Sequence, residues 1–109
     1  MAIAHLSSGE SIDVRPLGAG IQGAQTLALF KSADLEVMRL VLPKGKGMAS
    51  HSVQGDITLQ CMEGEIEVSV DGRSSMLEAG HLMYLSGRVP HSLTARVDAS
   101  ALLTIALRK

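Results

Sequence analysis

The sequence has 109 residues, a formal net charge of −1 and one cysteine. A chain of this length forms one domain with a core that needs no disulfide or metal. The chain has only two aromatic residues, which excludes a platform on which nucleic-acid bases could stack. It has no Lys/Arg block, which excludes a basic surface for nucleic acid or for an anionic membrane. One cysteine allows no intrachain disulfide, and no apolar run reaches the roughly 20 residues of a membrane span. Residues 1–6 do not resemble a signal peptide, so we expect a soluble, cytoplasmic protein.

The first third of the chain predicts an arm and two short strands. Residues 11–14 alternate and predict a strand that Pro16 ends, and residues 17–23 hold three glycines and predict a loop. Residues 26–30 predict a second strand, followed by a hairpin turn over 31–34. We assign residues 1–34 to an N-terminal arm with the first strands, and residues 35–107 to the core of the same domain.

Residues 35–42 are apolar on both faces of a predicted strand. Only Glu36 and Arg39 interrupt the run. A strand with one solvated face would alternate more clearly. We therefore expect this strand to be covered on both sides, either at the centre of a sheet or at a subunit contact.

The rest of the chain predicts short strands separated by turns. Asp71-Gly72 is the strongest hairpin signal. No stretch shows a helical period, so the pattern indicates an all-β sandwich or barrel. The predicted strands cover residues 51–63, 65–70, 73–77, 82–85, 91–97 and 101–107, with His91, Leu93, Ala95 and Val97 on one face.

Two glycine-bounded segments, 45–64 and 80–95, resemble the paired motifs of the cupin family. Gly45, His51 and Gly64 are in register with the first motif, and Gly80 and His91 with the second. The resemblance covers about residues 35–107. It implies a single-domain jelly-roll β-barrel, the cupin double-stranded β-helix of the RmlC-like type, and a homodimer.

The sequence departs from both motifs at the metal ligands. Val53 stands where the family has its second histidine, and Ile57 where it has its glutamate. The second motif has Ser86, Arg88 and Ala95 in place of its proline, glycine and asparagine. Of the family's four metal ligands, only His51 and His91 are present. Two imidazoles alone bind a divalent metal weakly and without selectivity.

These replacements predict an apolar barrel pocket with two histidines at one end. The strand period of two places Val53, Ile57, Leu59 and Cys61 on the side of His51. Arg88 is a candidate for the pocket mouth, where it would hold an anionic group, although a solvated loop arginine is an equal alternative. The predicted pocket consists of His51, Val53, Ile57, Leu59, Cys61, Met83, Leu85, Arg88 and His91.

The sequence leaves a metal site open as an alternative. A β-bulge at Gly55 would turn Asp56 or Gln54 inward and complete a site for Fe, Mn, Ni or Zn with His51 and His91. The resemblance then implies a dioxygenase or isomerase. A third hypothesis is a metal-free acid–base catalyst that uses the two histidines.

The first hypothesis is a protein that binds a small organic ligand with little or no tightly held metal. Its catalytic residues, if any, are not identified by the sequence. Cys61 is expected to be a buried apolar residue rather than a nucleophile, and His5 and His81 are expected at the surface. Tyr84 is expected to point outward if Met83 points inward.

Overall fold

The computed structural model describes residues 5–107 of the chain. These residues form one short 3-10 helix and nine strands. The helix, η1, covers Gly18–Gly23. The strands are β1 (Leu27–Lys31), β2 (Leu35–Leu42), β3 (Gly47–His51), β4 (Ile57–Glu63), β5 (Glu65–Val70), β6 (Arg73–Glu78), β7 (Leu82–Leu85), β8 (His91–Ala95) and β9 (Ala99–Ala106).

The strands pair antiparallel in two sheets. One sheet has five strands in the order β1-β2-β9-β4-β7, and the other has four in the order β3-β8-β5-β6. The inward faces of the two sheets enclose one hydrophobic core, in which Leu59, Cys61, Ile66 and Val68 are at most 1% exposed. The predicted all-β jelly-roll barrel is confirmed.

The C-terminal half of strand β2 is covered on both faces within the chain itself. Its inward residues Leu40 and Leu42 belong to the core. The outward Arg39 and Val41 are also buried, and the Arg39 guanidinium donates to the carbonyl of Arg15 at 2.6 Å in the N-terminal segment. The expected two-sided cover is confirmed for residues 39–42, whereas Leu35 at the start of the strand is 40% exposed.

Glu63 fastens the N-terminal segment to the barrel. Its carboxylate accepts hydrogen bonds from the backbone N–H groups of Leu17 (2.8 Å) and Gly18 (2.9 Å) and from the Ser100 hydroxyl. The Arg39 guanidinium lies 3.8 Å away. Burial by itself raises the pKa of Glu63, but these hydrogen bonds and the positive charge outweigh it, so the pKa is lowered overall.

The turns follow the glycine signals. Asp71 and Gly72 both have positive φ (51° and 77°), as the two-residue type I′ hairpin requires. The predicted hairpin is confirmed. Gly64 has a φ of 83°, and a Cβ at this position would lie 2.3 Å from the carbonyl oxygen of Asp98. Only glycine fits this turn between β4 and β5.

Four local predictions were wrong. Residues 11–14 lie in no strand, and residues 17–23 contain η1 rather than an irregular loop. The predicted strand 51–63 is divided, because residues 52–56 cross from the four-stranded sheet to the five-stranded sheet. Strand β8 ends at Ala95, and Val97 is 45% exposed because the chain turns there into β9.

Candidate functional site

Two histidines meet inside the barrel because β3 carries an extra residue. In the pairing of β3 with β8, Met48 faces Leu93 and His51 faces His91, so three steps on β3 match two steps on β8. Regular pairing would place Ser50 opposite His91. The irregularity therefore brings the two imidazoles together, with ring centroids 4.6 Å apart and ring planes inclined by 55°.

His91 is the more deeply buried of the pair. It is 5% exposed and shares the inward face of β8 with Leu93 and Ala95. His51 is half-buried at the end of β3. The pair therefore lies at one end of the barrel interior, next to the apolar core.

Both imidazoles are held in the same tautomer. The Nδ1 atom of His51 lies 3.1 Å from the carbonyl oxygen of Ala49, and Nδ1 of His91 lies 3.1 Å from that of Val89. A carbonyl oxygen only accepts, so each Nδ1 carries the proton and donates. In the neutral ring this leaves the Nε2 lone pair available to a ligand.

Loop 52–56 borders this end of the barrel and is tied to the loop before β8. The Asp56 carboxylate accepts a hydrogen bond from the N–H of Gly87 at 2.8 Å, and the carbonyl of Val53 accepts one from the N–H of Arg88 at 2.7 Å. A Cβ on Gly87 would lie 2.2 Å from the carbonyl oxygen of Gln54. The two loops are therefore in close backbone contact beside the histidines.

A cavity of about 400 Å³ opens between loop 52–56, which follows His51 in the chain, and the neighbouring ends of β2 and β9; His51 and His91 are not among the residues that line it. We call it the mouth pocket. Its volume lies in the range of small-molecule sites. Its walls are mainly apolar, and Glu36 supplies the only charged side chain among the described residues that line it. The lining includes Glu36, Ser52, Val53, Gln54, Ile105 and Leu107.

Register explains why Glu36 reaches this pocket. It pairs with Ile105 of β9 and alternates with Met38 and Leu40, which lie against or within the core. Ile105 pairs on its other side with Ile57. Glu36 therefore stands on the inward face of its sheet, in the row of residues nearest the mouth. It was not among the residues identified from the sequence.

The other predicted pocket residues divide into two groups. Ile57, Leu59, Cys61 and Leu85 are buried in the core, where their cross-strand neighbours cover them. The partly buried side chains Val53 and Met83 pack against that core. Val53 also lines the mouth pocket, although it lies in a loop and not on the predicted strand.

The remaining candidates are not among the residues that line the mouth pocket. Arg88 is exposed in the loop before β8, but its N–H donates to the carbonyl of Val53, which does line that pocket. His81 is exposed, and Tyr84 is 62% exposed on the outward face of β7. Burial raises the pKa of the Cys61 thiol, which donates weak hydrogen bonds to the carbonyls of Glu63 and Gly64. A buried thiol with a raised pKa is not a poised nucleophile.

The donor groups do not fit a tightly held divalent metal. Within residues 5–107, no group of three or more His, Cys, Asp or Glu side chains is placed to hold an ion. The alternative of a β-bulge at Gly55 is not realised, because Gly55 lies in loop 52–56 and in no strand. The Asp56 carboxylate accepts a hydrogen bond from the Gly87 N–H. Two imidazoles fall short of the three or four protein ligands that such metals take.

Comparison with known proteins supports the fold. No protein-family model matches the sequence, and no curated protein matches it. A conserved protein of unknown function from Streptococcus pyogenes has a similar structure, with a TM-score of 0.79, 24% identity, and coverage of 100% of this chain and 99% of that one. A cupin superfamily protein from Desulfitobacterium hafniense gives a TM-score of 0.80 at 16% identity, covering 96% and 100%.

An enzyme also appears among the similar structures. A salicylate 1,2-dioxygenase (G106A mutant) from Pseudoaminobacter salicylatoxidans has a similar structure, with a TM-score of 0.69 at 21% identity. The match covers 73% of this chain and 25% of the dioxygenase chain. Together with the two antiparallel sheets, these likenesses show that the chain has the cupin fold. The resemblance of its two sequence motifs is thereby confirmed at the level of fold. Among the described residues, no helix has the length and apolar character needed to cross a membrane.

Proposed function

We propose that this protein binds a small organic ligand at the barrel mouth and that the Nε2 atoms of His51 and His91 contact that ligand. The observation that carries the proposal is the shared orientation of the two rings. Each Nδ1 is committed to a backbone carbonyl, while no hydrogen bond within residues 5–107 occupies either Nε2 atom. Two such nitrogens beside apolar walls are the sparse polar groups that orient ligands in small-molecule sites.

The proposal extends to the absence of a tightly held metal. Val53 and Ile57 carry no donor atom, and Ile57 is packed into the core between its neighbours on β7 and β9. A metal-dependent dioxygenase or isomerase is supported by the fold alone, and a fold hosts unrelated functions. Acid–base catalysis has one specific observation in its favour, namely two adjacent imidazoles whose Nε2 atoms are free to exchange protons with a bound molecule.

The first test is the metal content of the purified protein. Untagged wild-type protein would be produced in metal-supplemented medium, next to a His51→Gln/His91→Gln double variant and a His81→Gln control, since His81 is exposed and lies before β7. We expect negligible metal in all three by mass spectrometry. Near-stoichiometric metal that the double variant alone loses would refute the metal-free proposal.

The second test is ligand binding. Small acids, alcohols, amines and aromatic compounds would be screened by ligand-observed NMR against the same three proteins. We expect a subset to bind wild type and the His81 control and to bind the double variant at least tenfold more weakly, the loss of one or two hydrogen bonds. Circular dichroism checks that the double variant is folded. Unchanged binding in a folded double variant would contradict the roles given to the histidines.

A further inference from the structure

Among residues 5–107, Glu36 is a charged side chain that forms no salt bridge. No hydrogen bond or salt bridge within residues 5–107 reaches its carboxylate. Lys31 lies directly opposite on β1, yet its exposed side chain forms no salt bridge with Glu36. Glu36 is only half-buried, so a cation that enters the pocket can reach its carboxylate and form the charge-assisted hydrogen bond that the described residues do not supply.

The surroundings of Glu36 do not supply the missing partner either. Its cross-strand neighbour on β9 is Ile105. The other described residues that line the mouth pocket are apolar or uncharged. Gln54 and Ser52 are neutral hydrogen-bonding groups at its rim. The pocket thus combines an apolar body with one negative charge.

We propose that the mouth pocket selects small organic cations, with the ammonium group of the ligand against Glu36 and its apolar part against Val53 and Ile105. This inference rests on the proposed function, because it names the chemical class that the barrel mouth takes. An ammonium group forms charge-assisted hydrogen bonds with a carboxylate and neutralises its charge. A carboxylate ligand would place a second negative charge in the same apolar space and is disfavoured.

Three probes of one size separate this charge preference from general apolar binding. Benzylammonium, benzyl alcohol and benzoate share an aromatic ring and differ in the polar group, and each is small enough for a cavity of about 400 Å³. Dissociation constants would be measured by NMR titration at neutral pH. For wild type we expect benzylammonium to bind roughly tenfold more tightly than benzyl alcohol, and benzoate to bind most weakly.

The Glu36→Gln variant is the decisive protein. It keeps the size of the side chain and removes the unpaired charge, so we expect it to fold. Benzylammonium should bind it roughly tenfold more weakly than wild type, with benzyl alcohol unchanged. Glu78→Gln is the matched control: Glu78 is exposed and pairs with Glu65 at the other end of the barrel, so it should behave as wild type.

The outcomes separate this inference from the proposed function. Equal affinities for the three probes, a lack of benzylammonium binding, or a preference that survives in Glu36→Gln would overturn the inference. If, in that case, other ligands bind wild type but not the His51→Gln/His91→Gln variant, the proposed function stands without the cation selectivity. If the ammonium preference depends on Glu36 but the double variant binds normally, the selectivity stands and the role of the histidines fails.

The end of the given sequence offers two competing cations. Arg108 and Lys109 follow Leu107, which lines the mouth pocket, and lie outside the described residues. A variant that ends at Leu107 tests whether this tail is the natural occupant. We expect its affinity for benzylammonium to equal that of wild type. A rise of tenfold or more would show that the tail occupies the site and would overturn the assignment to an external ligand.

Discussion

Glu63 should contribute more to stability than any exposed carboxylate, because three donors and one cation converge on it. Its side chain is 16% exposed, and that of Arg39 is 10% exposed. In Glu63→Gln the charge is lost and an NH₂ group replaces one acceptor. Weakening two charge-assisted hydrogen bonds at roughly 1.5 kcal/mol each gives an expected loss of about 3 kcal/mol in the free energy of unfolding. The buried Arg39 guanidinium then loses the carboxylate that lies 3.8 Å from it, which adds to this loss.

The assay is urea unfolding followed by far-UV circular dichroism, because the chain has no tryptophan for fluorescence. Glu78→Gln, an exposed change of the same charge, is the control and should stay within about 0.5 kcal/mol of wild type. The reasoning would be refuted if Glu63→Gln were as stable as this control. Amide exchange at Leu17 and Gly18 should accelerate in the Glu63 variant alone, since their N–H groups lose the carboxylate.

The pH dependence supplies an independent check on the same group. The pKa of Glu63 is lower in the folded protein, so the folded state favours the charged form. The contribution of Glu63 to the free energy of unfolding is fully present at pH values above its pKa in the unfolded chain, which is about 4.3 for a glutamate. That contribution is lost as the pH falls through the lower pKa of the folded state. Wild type should therefore lose more stability than Glu63→Gln between neutral pH and that acidic range. Parallel curves would show that Glu63 does not titrate as described.

Three further substitutions test the geometry of the turns and the mouth. Arg88→Gly should raise the free energy of unfolding by about 1 kcal/mol, because Arg88 has a φ of 70° and glycine relieves that strain at a smaller entropic cost; a destabilised variant in urea unfolding would contradict this. Gly64→Ala should lower it by more than about 2 kcal/mol, since the new Cβ would lie 2.3 Å from the carbonyl oxygen of Asp98, and a wild-type midpoint would disprove the contact. Asp56→Ala should cost about 1–3 kcal/mol and speed amide exchange at Gly87, whose N–H loses its acceptor; unchanged exchange there would show that Asp56 does not hold the loop.

The parts of the fold that sequence predicted are those set by local pattern. The bounds of β2 follow from its unbroken apolar run, and the turn at Asp71-Gly72 follows from backbone preferences that those two residues carry themselves. The histidine pair was predicted because motif spacing identified both positions. The crossing of residues 52–56 between sheets was missed, since nothing in that short stretch distinguishes a loop from a bulged strand.

Other features depend on partners far away in the chain. The extra residue in β3 is visible only from its pairing with β8, and it alone places His51, rather than Ser50, opposite His91. Glu36 was noticed in the sequence only as an interruption of an apolar run. Its place in the mouth pocket requires the register of β2 against β9 and the position of loop 52–56. The homodimer and the cytoplasmic location stay predictions.

The positions of the polar groups indicate a site scaled to a molecule rather than to an ion. Ile57, which stands at the motif position of a ligating glutamate, pairs with Ile105, and Ile105 pairs with Glu36. Two steps of about 4.8 Å across the sheet place the Glu36 backbone roughly 10 Å from that of Ile57. At this distance from the motif position, the Glu36 carboxylate is not placed to bind the same metal ion as His51 and His91, because bonds from a metal to its ligands are near ~2 Å. Under the two proposals above, the carboxylate would contact one end of an organic ligand whose other end meets the imidazoles, and the buried Ile57 places no charge between them.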